Sequence, residues 1–255
     1  TSLLFLAAAC YGVGYLAREK REAPAQRRDA VEGLLYANAA EAVLTGCLLF
    51  FLATMSLVCL SHHLGLLWVA IEATTLASAP LIYFHRHRRS LEAAWKYLLI
   101  CSIGIALALM GNFLLAVASK GADGRELPLL LEDLVRHGAG LNPLWLKAAF
   151  IFLLVGYGTK MGLAPLHTWL PDAHSESPSI VSALLSGALL NCAFLGILRA
   201  RQVCMAAGLT DFTQGLLILF GLISMGIAAV FILGQADYKR MLAYSSVEHM
   251  GILAL

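Results

Sequence analysis

Charge is what this sequence has least of. Of its 255 residues only 13% are Asp, Glu, Lys or Arg, and the net charge of +2 is small and dispersed. Such a chain is no ordinary soluble domain, and it offers neither a basic surface for nucleic acid nor a site for acidic substrates. No two of the six cysteines, at 10, 47, 59, 101, 192 and 204, form a C-x-x-C pair. Iron–sulfur, zinc and haem spacings are therefore lacking, so the thiols read as small packing residues and no cofactor is expected in this chain. The alternating pattern of a membrane β-barrel is lacking as well.

What is present is long apolar runs, with a mean hydropathy of +0.77. Eight segments can be drawn, approximately 2–17, 39–60, 63–84, 91–118, 144–172, 178–200, 211–233 and 238–255. Runs of this length mark a helical membrane protein, so the expected fold is all-α, one polytopic transmembrane bundle over 1–255. Thr1 is not an initiator methionine and Leu255 falls inside an apolar run, so the chain is expected to be a fragment whose first helix lacks its start. Outside the segments, five Lys and Arg between Arg18 and Arg28, three in the 85–89 turn and Lys239 with Arg240 fall on one face. Six fall on the other, which by the positive-inside rule puts the first group in the cytoplasm. The linker from Arg18, REKREAPAQRRDA, and the polar loop 119–143 read as solvated connections, and segment 211–233 as a packing helix.

Residues 156–178, GYGTKMGLAPLHTWLPDAHSESP, place a lysine, prolines and two histidines in or beside an apolar run. Pro165 has no amide hydrogen, so a helix through it would leave the Met161 carbonyl unpaired, and a break beside Lys160 is expected. Broken backbone at membrane depth survives only where it is buried or lines water, and ionisable residues there mark ion pathways. Lys160 therefore reads as part of a proton or ion relay. The competing reading is a lysine that snorkels to the headgroups, with Pro165 merely ending the span. Lys160 lies roughly 24 Å from one end of 144–172 and roughly 18 Å from the other at helical rise, which favours the relay.

Glu72 lies about 12 Å into its helix, inside the hydrocarbon. It reads either as a protonated acid bonded for packing or as a carboxylate partnered with a buried lysine, each shifting the other's proton affinity. Lys96, five residues into its helix, is open to snorkelling and to function alike. His167 is the better relay candidate among the groups after the break, because imidazole exchanges protons near neutral pH. Asp172 and His174 suit capping and water-bridged bonds, since H-x6-H with one aspartate fits no standard metal spacing.

Three motifs carry a resemblance. KMGLAPLHTWLPDAHSESP, SALLSGALLNCAFLGILR and QADYKRMLAYSSVEHMG resemble the antiporter-like, proton-translocating membrane subunits of complex I, membrane-bound nickel–iron hydrogenases and Mrp cation/proton antiporters. Asn191 after SGALL, and Glu248 directly before His249, look most like the hydrogenase-4 component F branch. The resemblance runs over nearly the whole chain. It implies a buried pair between Glu72 and Lys160, a lysine at the Lys96 position that modulates the glutamate, and a place for His249 on a central hydrophilic axis. A packing role for His249 stays open. Where many relatives carry a titratable group, this chain has Asn191, which can only orient water. The family pattern further implies a proline-broken central helix in the first of two inverted repeats, with the start of the second following.

The function implied is a proton-translocating membrane subunit of a redox-driven complex of hydrogenase-4 or NADH dehydrogenase type. It would be a non-redox subunit without a catalytic centre of its own, multi-pass in the inner (plasma) membrane, with other membrane subunits and protons as partners. The alternative is an Mrp-type cation/proton antiporter subunit, where an ion gradient is the drive. A third class is a structural membrane scaffold, against which the retention of buried Glu72 and Lys160 argues.

Overall fold

A computed structural model describes residues 2–22, 27–28, 33, 35–120 and 127–255. Residues 23–26 and 29–32 of the linker and 121–126 of the polar loop lie outside the described residues. The helices in chain order are α1 Ser2–Glu22, α2 Glu41–Leu60, α3 Leu64–Ile82, α4 Arg88–Ala118, α5 Leu131–Arg136, α6 Pro143–Met161, α7 Trp169–Glu176, α8 Ser179–Leu184, α9 Leu190–Ala206, α10 Thr210–Leu233 and α11 Tyr238–Ala254. A π turn, Leu185–Leu189, joins α8 to α9, and a two-residue ladder pairs Arg27–Arg28 with Leu35–Tyr36. Among the described residues, six elements are long and apolar enough to cross a membrane: α2, α3, α4, α6, the run through α8 and α9, and α10. The chain is a multi-pass membrane protein.

Local chemistry places the helix starts. Asn142 Oδ1 accepts the amides of Leu144 and Trp145 at 3.0 and 3.4 Å, and Pro143 fills the first helical position, where no amide is needed. His87 Nδ1 accepts the Ser90 amide at the start of α4. Asp237 Oδ1 accepts the Lys239 amide at the start of α11.

The core gathers around α6, which packs against α4 and α9. α4 and α6 approach at glycines: a Cβ on Gly156 would stand 2.5 Å from the Gly104 carbonyl oxygen and 2.6 Å from the Ala108 amide. Lipid gives no hydrophobic drive between helices, so close backbone packing at small residues supplies the association. α10 buries only a narrow stripe, Thr213, Leu217, Gly221, Ser224 and Ala228, at helical spacing. The rest of α10 carries exposed Leu222 and Val230, as expected of a helix on the outside of the bundle.

The sequence draws 144–172 as one broken helix, and the structure divides it into α6, a non-helical stretch and α7. The break begins three residues earlier than Pro165. Gly162 takes φ +83°, and the amides of Gly162 and Leu163 bond back to the carbonyls of Thr159 and Gly158 at 3.3 and 2.9 Å. That is a glycine C-cap, available without strain only to a residue lacking Cβ. Trp169 Nε1 donates to the Thr159 carbonyl at 2.9 Å, and the Ala164 amide donates to Ser224 Oγ at 2.9 Å. Pro165, after a cis peptide bond, sits inside this non-helical stretch: the expected break beside Lys160 is present, α6 ends at Met161, whose carbonyl the proline could not pair, and the Gly162 cap already closes the helix. Pro165→Ala is therefore expected to leave α6 ending at Met161. Gly162→Ala, which forces a left-handed alanine and brings its Cβ within 2.6 Å of Leu170 Cδ1, is expected to cost at least about 1–2 kcal/mol. Thermal unfolding of the two variants in detergent, with a structure of the first, checks this.

Candidate functional site

Lys160 is 0% exposed, which removes the snorkelling reading. Its Nζ, on the last turn of α6, donates to Thr75 Oγ1 of α3 at 2.6 Å and to Tyr97 OH of α4 at 2.7 Å. Thr75 Oγ1 donates in turn to Glu72 Oε2 at 3.1 Å. Tyr97 OH and Ser78 Oγ lie 2.6 Å apart, and Ser78 Oγ donates to the Thr74 carbonyl at 2.7 Å. Thr75, Ser78 and Tyr97 are all fully buried. Glu72 and Lys160 come to one site as expected, yet they form no direct ion pair: the Thr75 hydroxyl stands between them. The arrangement holds a buried amine on two hydroxyls and one hydroxyl away from a carboxylate, which is what reversible proton exchange needs.

Lys96 lies elsewhere. Its side chain is exposed, with Nζ 2.8 Å from Glu92 Oε1 and 3.1 Å from Asp172 Oδ2, while Asp172 Oδ1 is 3.0 Å from Arg240 Nη2. The expectation that Lys96 acts on the glutamate is therefore not met by any contact, and Asp172 makes ion pairs instead of a cap. Further along α7, Glu176 Oε2 is 3.5 Å from His87 Nε2, Ser175 Oγ donates to Asp237 Oδ2 at 2.9 Å, and Lys239 Nζ donates to the Ser177 carbonyl at 2.8 Å. Partial burial pushes the Asp237 carboxyl up, but the Ser175 hydroxyl and the amides of Lys239 and Arg240 outweigh it and hold the group below its usual range. The consequence of these contacts is positional: they tie α7 to α4 and α11. α7 also carries Trp169, whose ring centroid is 4.9 Å from that of Tyr97.

Asn191 and His249 meet in a third place. Both line a groove of about 730 Å³ between the π turn and α11, together with His174, Ser182, Lys239 and Ser246. Asn191 Nδ2 donates to the Gly187 carbonyl at 2.9 Å, and His249 Nδ1 lies 2.6 Å from the Ser245 carbonyl. Both side chains are exposed. Among the described residues, buried His174 has no partner at Nε2. Buried His167, beside the break, packs its ring 6.1 Å from that of Tyr244 and has no partner at Nδ1 among the described residues. Among the described residues, nothing that lines the groove also belongs to the Lys160 cluster, and no group of His, Cys, Asp and Glu could hold a metal ion.

Residues 61–255 match the model of one protein family, described as NADH:quinone oxidoreductase/Mrp antiporter, transmembrane. The chain belongs to that family. Among its relatives is a hydrogenase-4 component F homolog of Methylacidiphilum infernorum, 44% identical over 201 residues, which are 78% of this chain and 42% of the relative. Respiratory complex I from Thermus thermophilus with bound aureothin contains a chain that superposes with a TM-score of 0.70 at 30% identity, covering 86% of this chain and 45% of that one. A chain of the Mrp complex from Dietzia sp. gives 0.73 at 26%, covering 84% and 23%. The present chain thus spans under half the length of these antiporter-like relatives.

Sequence reasoning in this family member missed Thr75, Ser78 and Tyr97. A signal for the first two existed, since positions 72, 75 and 78 recur every three residues and share one face of α3. Tyr97 was hidden by its neighbour: the charge at Lys96 drew the reading, while the residue next to it, about 100° around the helix, faces the site.

Proposed function

We propose that this chain is part of a proton-translocating membrane subunit of a redox-driven complex, of hydrogenase-4 or NADH dehydrogenase type. The observation that carries the reading is a fully buried lysine beside broken backbone, linked by one hydroxyl to a carboxylate on a second helix. The 44% identity to a hydrogenase-4 component F homolog supports the redox-driven class over the antiporter class. In this reading Lys160 and Glu72 hold the transferable proton, and His167 exchanges it near the break. Asn191 and His249 order water in the groove, and Lys96 acts through Asp172 and α7. Neighbouring membrane subunits supply the redox chemistry and protons are the cargo. The basic turns face the cytoplasm across the inner (plasma) membrane.

The test is the full-length, assembled complex in vesicles with an internal pH probe. Glu72→Gln removes the ionisable oxygen pair while keeping size, and proton flux per assembled complex is expected to fall by roughly 100-fold, the lower range of a proton-transfer group. Unchanged flux would sink the reading. Omitting the electron donor decides between drives: flux in the redox-driven subunit stops, whereas a cation/proton antiporter continues when a sodium gradient is imposed.

A further inference from the structure

We propose that Thr75 is the residue through which the proton passes between Lys160 and Glu72, and that Tyr97 forms a second, closed arm that holds the lysine without draining its proton. The inference rests on the reading above and goes beyond it, because it assigns the transfer step to a hydroxyl with no charge of its own.

Donor and acceptor roles lead to this. An ammonium only donates and a carboxylate only accepts. Thr75 Oγ1 therefore accepts from Lys160 Nζ at 2.6 Å and spends its own hydrogen on Glu72 Oε2 at 3.1 Å. The other arm runs from Nζ to Tyr97 OH at 2.7 Å, from there to Ser78 Oγ at 2.6 Å and on to the Thr74 carbonyl at 2.7 Å. A backbone carbonyl does not take up a proton at any working pH, so this arm ends there. One arm stops at a group that titrates and the other at a group that does not.

Thr75 is also unlike the other hydroxyls of α3. Buried hydroxyls in membrane helices ordinarily bond back to a carbonyl of their own helix. Thr74 does so to Ile71 at 2.6 Å and Ser78 to Thr74 at 2.7 Å. Thr75 instead spends its hydrogen bonds on two ionisable side chains.

The step balances. An N–H bond of Lys160 breaks as an O–H bond forms on Thr75, and the original O–H of Thr75 breaks as one forms on Glu72. Ammonium and carboxylate become amine and carboxylic acid, and threonine ends as it began with its hydrogen exchanged. The reverse passage restores the charges, and no oxidant or further reactant takes part.

The experiment uses the full-length, assembled complex in vesicles, reading proton flux per redox turnover. Thr75→Val keeps shape and removes the hydroxyl, and is expected to lower flux at least about tenfold, whereas Thr75→Ser restores it to within about twofold. Tyr97→Phe, which takes away the lysine's other acceptor but leaves the relay, is expected to lower flux several-fold less than Thr75→Val. If Thr75→Val fails to assemble, Thr75→Ala takes its place with the same expectation. Flux retained without the hydroxyl, while Glu72→Gln loses it, overturns the relay and leaves the reading of the subunit standing. Equal losses in Thr75→Val and Tyr97→Phe also overturn it, because both hydroxyls then serve only to hold the lysine. Flux retained in Glu72→Gln removes the reading of the subunit and the relay with it.

Discussion

Lys160→Arg and Lys160→Met are both expected to stop proton translocation, by roughly 100-fold or more in flux per assembled complex, and for different reasons. Methionine has no proton to give. Arginine keeps the positive charge and can reach the same hydroxyls, but its guanidinium does not release a proton in proteins. A pair of variants that agrees therefore assigns the role to proton release and not to charge. Lys160→Met leaves Glu72 without its counter-charge and the Thr75 and Tyr97 hydroxyls without their donor, so it is expected to lower stability more than Lys160→Arg, and flux is read per assembled complex for both. Flux retained in assembled Lys160→Arg would mean that the lysine serves as a fixed charge. The measurement is vesicle acidification against complex content.

Gly156→Ala is expected to be the most damaging single methyl in the chain. Its Cβ would meet the Gly104 carbonyl oxygen at 2.5 Å, the Ala108 amide nitrogen at 2.6 Å and the Ala108 Cβ at 2.7 Å. Two of those atoms are backbone of α4, which no rotamer change can move, so the helices must separate. Overpacking of this kind costs about 1–3 kcal/mol and occasionally more. Thr159 and Lys160 stand about one turn further along the same helix, so flux is expected to fall together with stability. Gly226→Ala is the control, since a Cβ there meets nothing within 4 Å and alanine is the better helix former. Equal thermal unfolding temperatures for the two variants would contradict the close α4–α6 approach.

The loss at Gly156 illustrates what a hydropathy pattern does not contain. α2, α3, α4 and α6 are apolar nearly all round, so no polar face announces which side of each helix turns inward. The pairing of α4 with α6 rests on small residues meeting small residues across a gap of more than forty positions in sequence.

By itself the sequence determined the helical membrane architecture and approximate spans, because an unpaired backbone and an isolated charge are both expensive in hydrocarbon wherever they occur. The same cost made Lys160 and Glu72 stand out, and glycine and proline located the break to within a few residues. Only the tertiary structure decided the partners. It put Thr75 between the two charges, turned Tyr97 inward and Lys96 outward, and gave Asp172 to Lys96 and Arg240. It also showed that the break opens on a Gly162 cap, three residues before Pro165. Helical periodicity states which residues share one face of one helix; which faces meet depends on the packing of several helices at once, and that is a property of the whole bundle.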